Sequence, residues 1–344
     1  MPRPVPAADG RSPIALDVMG GDNAPGAIIA GAALARRAGV GELILVGHRE
    51  EVTAELRRQG MDPTDWRIEH AAQVVAMDES PTYALKRKRE ASISVATRLV
   101  KNGAAAALVS AGSTGAQVVS SILHLGRLPG IERPAIAVAV PATHGWSVLI
   151  DAGANEQNRA SHLVGFAVMG SLYLETAFDV ENPRVGLVSI GEEPTKGNDM
   201  VREAYNLLAA KSGINFTGMV EGRGLYTGGA DVVVCDGFVG NVLLKFSESA
   251  ARWVAHHLRE GMRRRPLATL GGLLMKPAFR HFKQVAGASS IGGAPLLGVR
   301  GISIIAHGSS NAEAIMNACK AARHLVDSEI NRRISEKMAL GDGD

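Results

Sequence analysis

Residues 14–26 read IALDVMGGDNAPG. The run at 14–18 is apolar apart from Asp17. Near-continuous apolarity over so short a length marks a strand covered by helices on both faces. Met19, Gly20, Gly21, Asp22, Asn23, Ala24, Pro25 and Gly26 follow, and a helical pattern then occupies 25–38. The glycines permit a tight exit from the strand and leave backbone N–H groups uncovered. Strand, glycine turn and helix in this order form half of a βαβ unit, which implies a parallel sheet with right-handed crossovers.

The pattern recurs along the chain. A strand at 105–110 leads to Ala111, Gly112, Ser113, Thr114 and Gly115, and one at 147–151 leads to Ala152, Gly153, Ala154 and Asn155. A strand at 184–190 precedes the loop 191–198, which contains Lys196; one at 231–235 precedes Asp236, Gly237 and, further on, Asn241. A strand at 301–306 leads to His307, Gly308, Ser309, Ser310 and Asn311. Further strands are predicted at 42–47, 67–71, 135–140 and 214–220, and helices at 49–59, 81–101, 114–124, 158–178, 199–210, 238–260 and 310–335. Ser80 before Pro81 reads as an N-cap with proline at the first helical position, and Ser310 with Glu313 fits a capping box. The exception to the alternation is 135–151, where residues 141–145 join two strands as a hairpin. The expected fold is α/β, a three-layer α/β/α sandwich with a mostly parallel sheet. Residues 1–11, which hold three prolines, read as a disordered lead; 12–335 read as one catalytic domain and 336–344 as a flexible tail.

Composition narrows the function classes. Forty glycines and only 4% aromatic residues describe backbone-lined turns rather than the aromatic platforms on which single-stranded nucleic acids stack. A net charge of +3 demands neither DNA nor a membrane. Cys235 and Cys319 have no disulfide or zinc spacing, and both read as buried small hydrophobes. No signal-peptide run or membrane-span run is present, so the expected compartment is the cytoplasm. The chain has no Walker phosphate loop, no strand-linked G-x-G-x-x-G, no H-E-x-x-H and no G-x-S-x-G elbow. His256 and His257 are adjacent on a helical pattern, a poor arrangement for a metal.

Ligands of open α/β sheets bind at the carboxyl ends of strands. Six strand ends here carry glycine with Asn, Ser, Thr, Asp, Lys or His, and helix N-termini favour anions. The expectation is one shared pocket for a phosphate-sized anion.

These residues carry a family resemblance. LDVMGGDNAP from Leu16 resembles the opening signature of the PlsX phosphate acyltransferases. MDESP from Met77 with Lys86, Arg87 and Lys88, SAGSTGA from Ser110, IDAGAN from Ile150, GEEPTKGN from Gly191, CDGFVGN from Cys235 and AHGSSN from Ala306 are similar to further blocks of that family. The resemblance implies transfer of an acyl group from acyl-acyl carrier protein to orthophosphate, giving acyl phosphate for phospholipid synthesis. It implies a dimer whose fold is similar to phosphotransacetylases and to isocitrate- and isopropylmalate-type dehydrogenases. It implies no cofactor and no metal, because phosphate is itself the nucleophile. Catalysis then needs positioning of phosphate and donors for the oxyanion. The candidates for chemistry are Lys196, Asn241, His307 and Asp236. The candidates for phosphate or acyl binding are Gly20, Gly21, Asp22, Asn23, Ser113, Thr114, Gly115, Asn155, Ser309 and Asn311. Asp22, Asp236 and His307 stand as alternatives for the group that orients phosphate, and Asp17 and Asp151 read as braces for their loops.

Between 252 and 285 lie Arg252, Arg259, Arg263, Arg264, Arg265, Lys276, Arg280 and Lys283 against Glu260 alone. On a helical projection Leu267, Leu270 and Leu274 gather on one side and Lys276, Arg280 and Lys283 on the other. Arg263, Arg264, Arg265, Leu270 and Leu274 are therefore expected to contact the carrier protein or an anionic membrane surface, with a subunit interface as the alternative. Peripheral association at the inner face of the membrane and a downstream glycerol-phosphate acyltransferase partner follow as expectations; a nucleic acid does not. The rival functions are a phosphotransacetylase acting on acyl-coenzyme A, a decarboxylating dehydrogenase and a non-enzymatic scaffold.

Overall fold

The computed structural model describes residues 11–143, 145–263, 271, 274–278 and 292–340. In chain order the strands are β1 (Ile14–Asp17), β2 (Leu43–Gly47), β3 (Arg67–His70), β4 (Ala107–Ser110), β5 (Ala135–Ala142), β6 (Gly145–Ile150), β7 (Arg184–Val188), β8 (Asn215–Val220), β9 (Val232–Val234), β10 (Ala294–Leu297) and β11 (Ile302–Ile305). The helices are α1 (Gly26–Arg37), α2 (Arg49–Arg58), α3 (Pro81–Arg87), α4 (Ser92–Lys101), α5 (Thr114–His124), α6 (Ala160–Phe178), α7 (Asp199–Ala210), α8 (Gly224–Thr227), α9 (Gly237–Arg263), α10 (Ala312–Asp327) and α11 (Ile330–Leu340).

The strands form one eleven-stranded sheet in the order β3-β2-β1-β4-β11-β10-β5-β6-β9-β7-β8. Successive strand residues face opposite sides, and both sides are covered. Ile14, Leu16, Leu43 and Leu45 pack with Ile28 and Ile29 of α1 and Ile315 of α10. Ala15, Ile44 and Val46 pack on the other face with Ile93 of α4 and Ala116 of α5. Farther along that second face, Leu149 and Val233 pack with Val118 of α5 and Leu225 of α8. The first face therefore carries one continuous core across the sheet, while the second carries two. Helix α6 buries Leu163, Phe166 and Met169 completely, and each such side chain stabilises the fold by about 1.5–3 kcal/mol. The expected three-layer α/β architecture is what forms.

The hairpin fixes the sense of the strands. β1, β2, β3, β4 and β11 are mutually parallel. β10 runs against β11 and against β5, so β5 shares the sense of β11. β6 then runs against β5, while β9, β7 and β8 follow β6. The sheet is thus two parallel blocks of opposite sense joined through antiparallel pairs.

Several boundaries differ from the sequence reading. The pattern at 81–101 is two helices, because Ala91 pairs with Gln73 and the Ser92 N–H donates to Gln73 O at 2.9 Å. The pattern at 310–335 breaks between α10 and α11, where Glu329 takes a left-handed φ of 52°. α11 runs to Leu340, into the stretch from 336 read as tail. The cap of α10 is Asn311, whose Oδ1 accepts the Ala314 N–H at 2.9 Å. Ser310 instead gives its N–H to His307 O, so the capping box with Glu313 is not made. Ser80 is the N-cap residue of α3, but its side chain makes no capping bond. β10, not anticipated, enters the sheet with Pro295 opposite Ile304. Of the basic segment, Arg264, Arg265, Leu267, Leu270, Arg280 and Lys283 lie outside the described residues, as does the lead 1–10. α9 reaches Arg263, and Leu274 is 76% exposed.

Candidate active site

The loops after β1, β4 and β11 meet on one rim of the sheet. A side chain at Gly20 would stand 2.7 Å from Gly112 N, so the two backbones require glycine to approach this closely. The Asp22 N–H donates to Gly308 O at 2.8 Å. Asn23 Nδ2 lies 3.4 Å from both Ser309 O and Ser310 O. Beneath them Asp17 is buried and accepts the Met19 N–H at 3.2 Å and the Ser110 hydroxyl at 2.8 Å. Burial pushes the Asp17 carboxyl up, against the pull of Ser92, Ser110, Met19 and Gly20.

Helices α1, α5 and α10 begin on this rim. Ser113 caps α5 by accepting the Ala116 N–H at 3.4 Å, and Gly115 lies against Pro81. Thr114 and Gly115 sit in the first turn of α5, where N–H groups lack intrahelical partners and the helix dipole favours an anion. Asp22 is exposed, and its carboxylate makes no hydrogen bond among the described residues. His307 Nδ1 is 2.8 Å from Ser309 Oγ and accepts the Ser309 N–H at 3.1 Å. That ring nitrogen is therefore the acceptor, and in the neutral imidazole the proton sits on Nε2.

The loops after β6, β9 and β7 form a second group. Its centre is Asp151, fully buried, which accepts N–H bonds from Ile136, Gly153, Ala154 and Asn155 at 2.9–3.1 Å. Burial pushes this carboxyl up as well, against those same donors. Asn155 gives its amide to Pro134 O at 2.7 Å and Asp151 Oδ2 at 2.8 Å. Both its donors are occupied by the fold, so the side chain braces the loop. Gly237 and Gly240 let α9 start hard against this loop, since added side chains would stand 2.3 Å from Asn155 O and 1.8 Å from Asp151 O. Asp236 Oδ1 caps α9 by accepting the Val239 N–H at 3.0 Å. Asn241 packs over Gly153 and Lys196 over Gly191. Neither side chain makes a hydrogen bond or ion pair among the described residues, and both are exposed. Asn198, the cap of α7, accepts the Val201 N–H at 2.9 Å.

The predicted site residues therefore divide. Gly20, Gly21, Asp22, Asn23, Ser113, Thr114, Gly115, His307, Ser309 and Asn311 come together. Asn155, Lys196, Asp236 and Asn241 come together elsewhere. The strands of the two groups run in opposite senses within the sheet. No hydrogen bond or ion pair among the described residues joins the groups. The six loops expected from the sequence to share one pocket thus follow strands of two blocks, which the β5–β6 hairpin sets in opposite sense. Residues that the sequence did not single out also line a concavity: Arg127, Glu132, Arg133, Asn158, Arg159 and His162 border a pocket of about 660 Å³ beside the Asp151–Asn155 loop. The visible signal was the pair Arg127 and Arg133 in a stretch, 127–134, that also holds Pro129, Gly130 and Pro134.

The two cysteines are Cys235 and Cys319. Both are buried; burial pushes the Cys319 thiol up to about 12, and burial, then Asp236 and Asp151, push Cys235 well above its usual range. Among the described residues no cluster of His, Cys, Asp and Glu is arranged to hold a metal ion.

Comparison with known proteins covers the whole of this fold. The profile of a family described as "Fatty acid synthesis protein" matches residues 13–333. A "Phosphate acyltransferase" of Desulfitobacterium hafniense is 48% identical over 326 residues, covering 94% of this chain and 97% of the relative. Among solved structures, a phosphotransacetylase from Streptococcus pyogenes superposes with a TM-score of 0.64 at 20% identity, covering 92% of this chain and 94% of the other. A 4-hydroxythreonine-4-phosphate dehydrogenase from Klebsiella pneumoniae does so with a TM-score of 0.51 at 15% identity, covering 92% and 100%. The two solved structures share the fold.

Proposed function

The chain belongs to the PlsX family of phosphate acyltransferases, and from that premise we propose that its acyl donor is a long-chain thioester of acyl carrier protein and its acceptor orthophosphate. The observation that carries the reading is the first rim: three helix starts, glycine-lined backbone and free polar heads, with both thiols buried away from it. Such a site suits a substrate that brings its own nucleophile.

Orthophosphate sits against the first turns of α5 and α10, where backbone N–H groups and helix dipoles favour a dianion. A phosphate oxygen attacks the thioester carbonyl carbon, and negative charge develops on the carbonyl oxygen. The C–S bond then breaks, releasing the carrier thiolate and acyl phosphate. Asp22, whose carboxylate is free, accepts from protonated phosphate and aims it. His307, with its proton on Nε2, donates to an oxyanion. This reading makes Asp22 the orienting group and His307 a donor, while Asp236 serves as a helix cap. Lys196 and Asn241 enter as donors because neither polar head is occupied by the fold, and a preorganised donor contributes about 3 kcal/mol to a transition state. No cofactor is required.

Acyl phosphate is a reactive mixed anhydride, so a glycerol-phosphate acyltransferase is the proposed consumer, in phospholipid synthesis in the cytoplasm. Among the described residues no helix is long and apolar enough to cross a membrane. Phe238, Val242, Phe246 and Trp253 form an exposed apolar stripe on α9, which supports a homodimer through this helix. The basic residues that follow are proposed to meet the carrier or an anionic membrane surface.

The test is thiol release from long-chain acyl carrier protein without ATP, added metal or nicotinamide. Release that depends on phosphate is expected. Equal release without phosphate means a thioesterase. Preference for the coenzyme A thioester means a phosphotransacetylase.

A further inference from the structure

The loop before α3 and α3 itself form a shoulder of the first rim. Pro81, the first residue of α3, stands 2.6 Å from where a side chain at Gly115 would begin, so α3 starts against the first turn of α5. Met77 Cε lies 3.1 Å from the corresponding point at Gly308, and Asp22 Oδ1 lies 3.5 Å from it. Ala84 and Leu85 are buried in the core of the second face. Lys86, Arg87 and Arg89 are exposed. Two neighbouring cations are already paired, Lys88 with Glu79 at 2.6 Å and Arg98 with Glu90 at 3.1 Å. The side chains of Lys86 and Arg89 make no hydrogen bond or ion pair among the described residues, and the Arg87 guanidinium lies 4.6 Å over the Tyr83 ring. Asp78 is an exposed carboxylate on the same shoulder. Met77 is 55% exposed and Tyr83 57%. Cations thus flank two large apolar side chains that the fold leaves half uncovered. Tyr, Met and Arg are enriched where proteins meet, and charges at the edge of such a surface steer the encounter.

We infer that this shoulder docks the carrier protein that delivers the thioester, through an acidic surface of the carrier laid on Lys86, Arg87 and Arg89. The inference rests on the acyl-transfer reading for the identity of the partner. Charge and position both favour it. Unpaired cations recognise an acidic partner, and these border the rim that the thioester must reach. The seven residues of α3 rise about 10 Å. An extended pantetheine arm spans roughly 16 Å from sulfur to phosphorus at ordinary bond lengths. A carrier resting on Lys86 and Arg89 therefore has an arm long enough to pass Met77 and present its thioester at the rim. An anionic bilayer would match the charge but has no donor to hand across this distance. The carrier thus lands on α3 and not on the basic residues after α9.

The test compares two double variants of the full chain, Lys86→Glu with Arg89→Glu and Arg37→Glu with Lys320→Glu. Both change the net charge equally. Arg37 and Lys320 are exposed on α1 and α10, which cover the opposite face of the sheet. None of the four side chains is bonded to the fold among the described residues, so unfolding midpoints should stay near the parental value. KM for acyl-acyl carrier protein should rise about tenfold in the first variant and little in the second. KM for acyl-phosphopantetheine, which has the arm but no protein, should be unchanged in both. The tenfold difference should shrink with added salt. Equal rises in the two variants, or none in the first, overturn the proposal. Loss of binding to phosphatidylglycerol vesicles in the first variant, with KM for the carrier unchanged, overturns it too and makes the shoulder a membrane contact. Should the parent protein show no phosphate-dependent thiol release, the acyl-transfer reading fails separately. The shoulder is then judged by calorimetric titration with acyl carrier protein, and equal affinity in the parent and the first variant, or binding in neither, overturns it.

Discussion

On the first rim, loops meet backbone to backbone: Asp22 N–H on Gly308 O, and Gly20 against Gly112. On the second rim they gather around one carboxylate, Asp151, which holds N–H groups from β5 and from its own loop. Both rims start from a buried aspartate at a strand end, and both are rich in glycine. They differ in what the polar groups are left to do. On the first rim Asp22 stays open to a ligand, and the Nε2 of His307 takes no bond from its own loop. On the second, Asn155 and Asp236 are turned inward as brace and cap, and Lys196 and Asn241 alone among the predicted residues face outward unpaired. Glycine-rich loops that look interchangeable in sequence thus serve binding in one place and scaffold in the other.

The sharpest way to break this comparison is steric. Gly240→Ala would put a side chain 1.8 Å from Asp151 O. It should cost more than about 4 kcal/mol, seen as failure to fold or a collapsed denaturation midpoint. Gly20→Ala, 2.7 Å from Gly112 N, should cost less, about 2–3 kcal/mol by the usual range for overpacking. Equal losses would mean that the second rim is no more dependent on close approach than the first.

Asp151→Asn comes next. The amide would point N–H groups at donors that the carboxylate now satisfies, and charge-assisted bonds contribute about 1.5–3 kcal/mol. A loss of about 3 kcal/mol in chemical denaturation is expected. Asp17→Asn, with a single backbone donor and the Ser110 hydroxyl as its direct bonds, should lose about 1–2 kcal/mol. A larger loss at Asp17 would reverse the assignment of the scaffold rim.

Turnover distinguishes the rims by chemistry. Lys196→Ala and Asn241→Ala should each lower kcat about a hundredfold with little change in thermal midpoint, since neither side chain is bonded to the fold. His307→Ala should act similarly through the first rim. Wild-type rates in the first two variants, with loss in the third, would confine the reaction to the first rim.

The smallest expected effect concerns the loop that flanks the first rim. The Glu79 carboxyl is held below its usual value, first by Lys88, whose Nζ lies 2.6 Å away, and then by the Ala76 N–H. A depressed acid stabilises the folded loop above its unfolded pKa and loses that contribution as pH falls through the folded one. Amide exchange at Ala76 should therefore stay slow near neutrality and quicken only under acid below the usual glutamate range. No change would mean that the clasp is ornamental to the rim.

The alternation of strand and helix was legible because apolar periodicity is a local property. So was the hairpin at 135–151, whose strands are joined by residues a few positions apart; the bracing by Asp17 and Asp151 was read from their places at strand ends, though it draws on Ser110 and Ile136 farther along the chain. The break after Lys88 was not, because it depends on Gln73 pairing across the chain. β10 was hidden for a similar reason: it begins among Gly292, Gly293 and Pro295, and only a slot between β11 and β5 makes Leu296 and Leu297 a strand.

The sequence by itself determined an α/β chain of one family, glycine loops at strand ends and the polar residues in them. Tertiary structure alone decided which loops share a rim, because the sense of a strand is set by the neighbours that cover its edges and faces. It alone decided that Asn155 and Asp236 serve the fold while Asp22, Lys196 and Asn241 remain free. Whether a polar side chain is available depends on donors and acceptors that lie far away along the chain and close by in space.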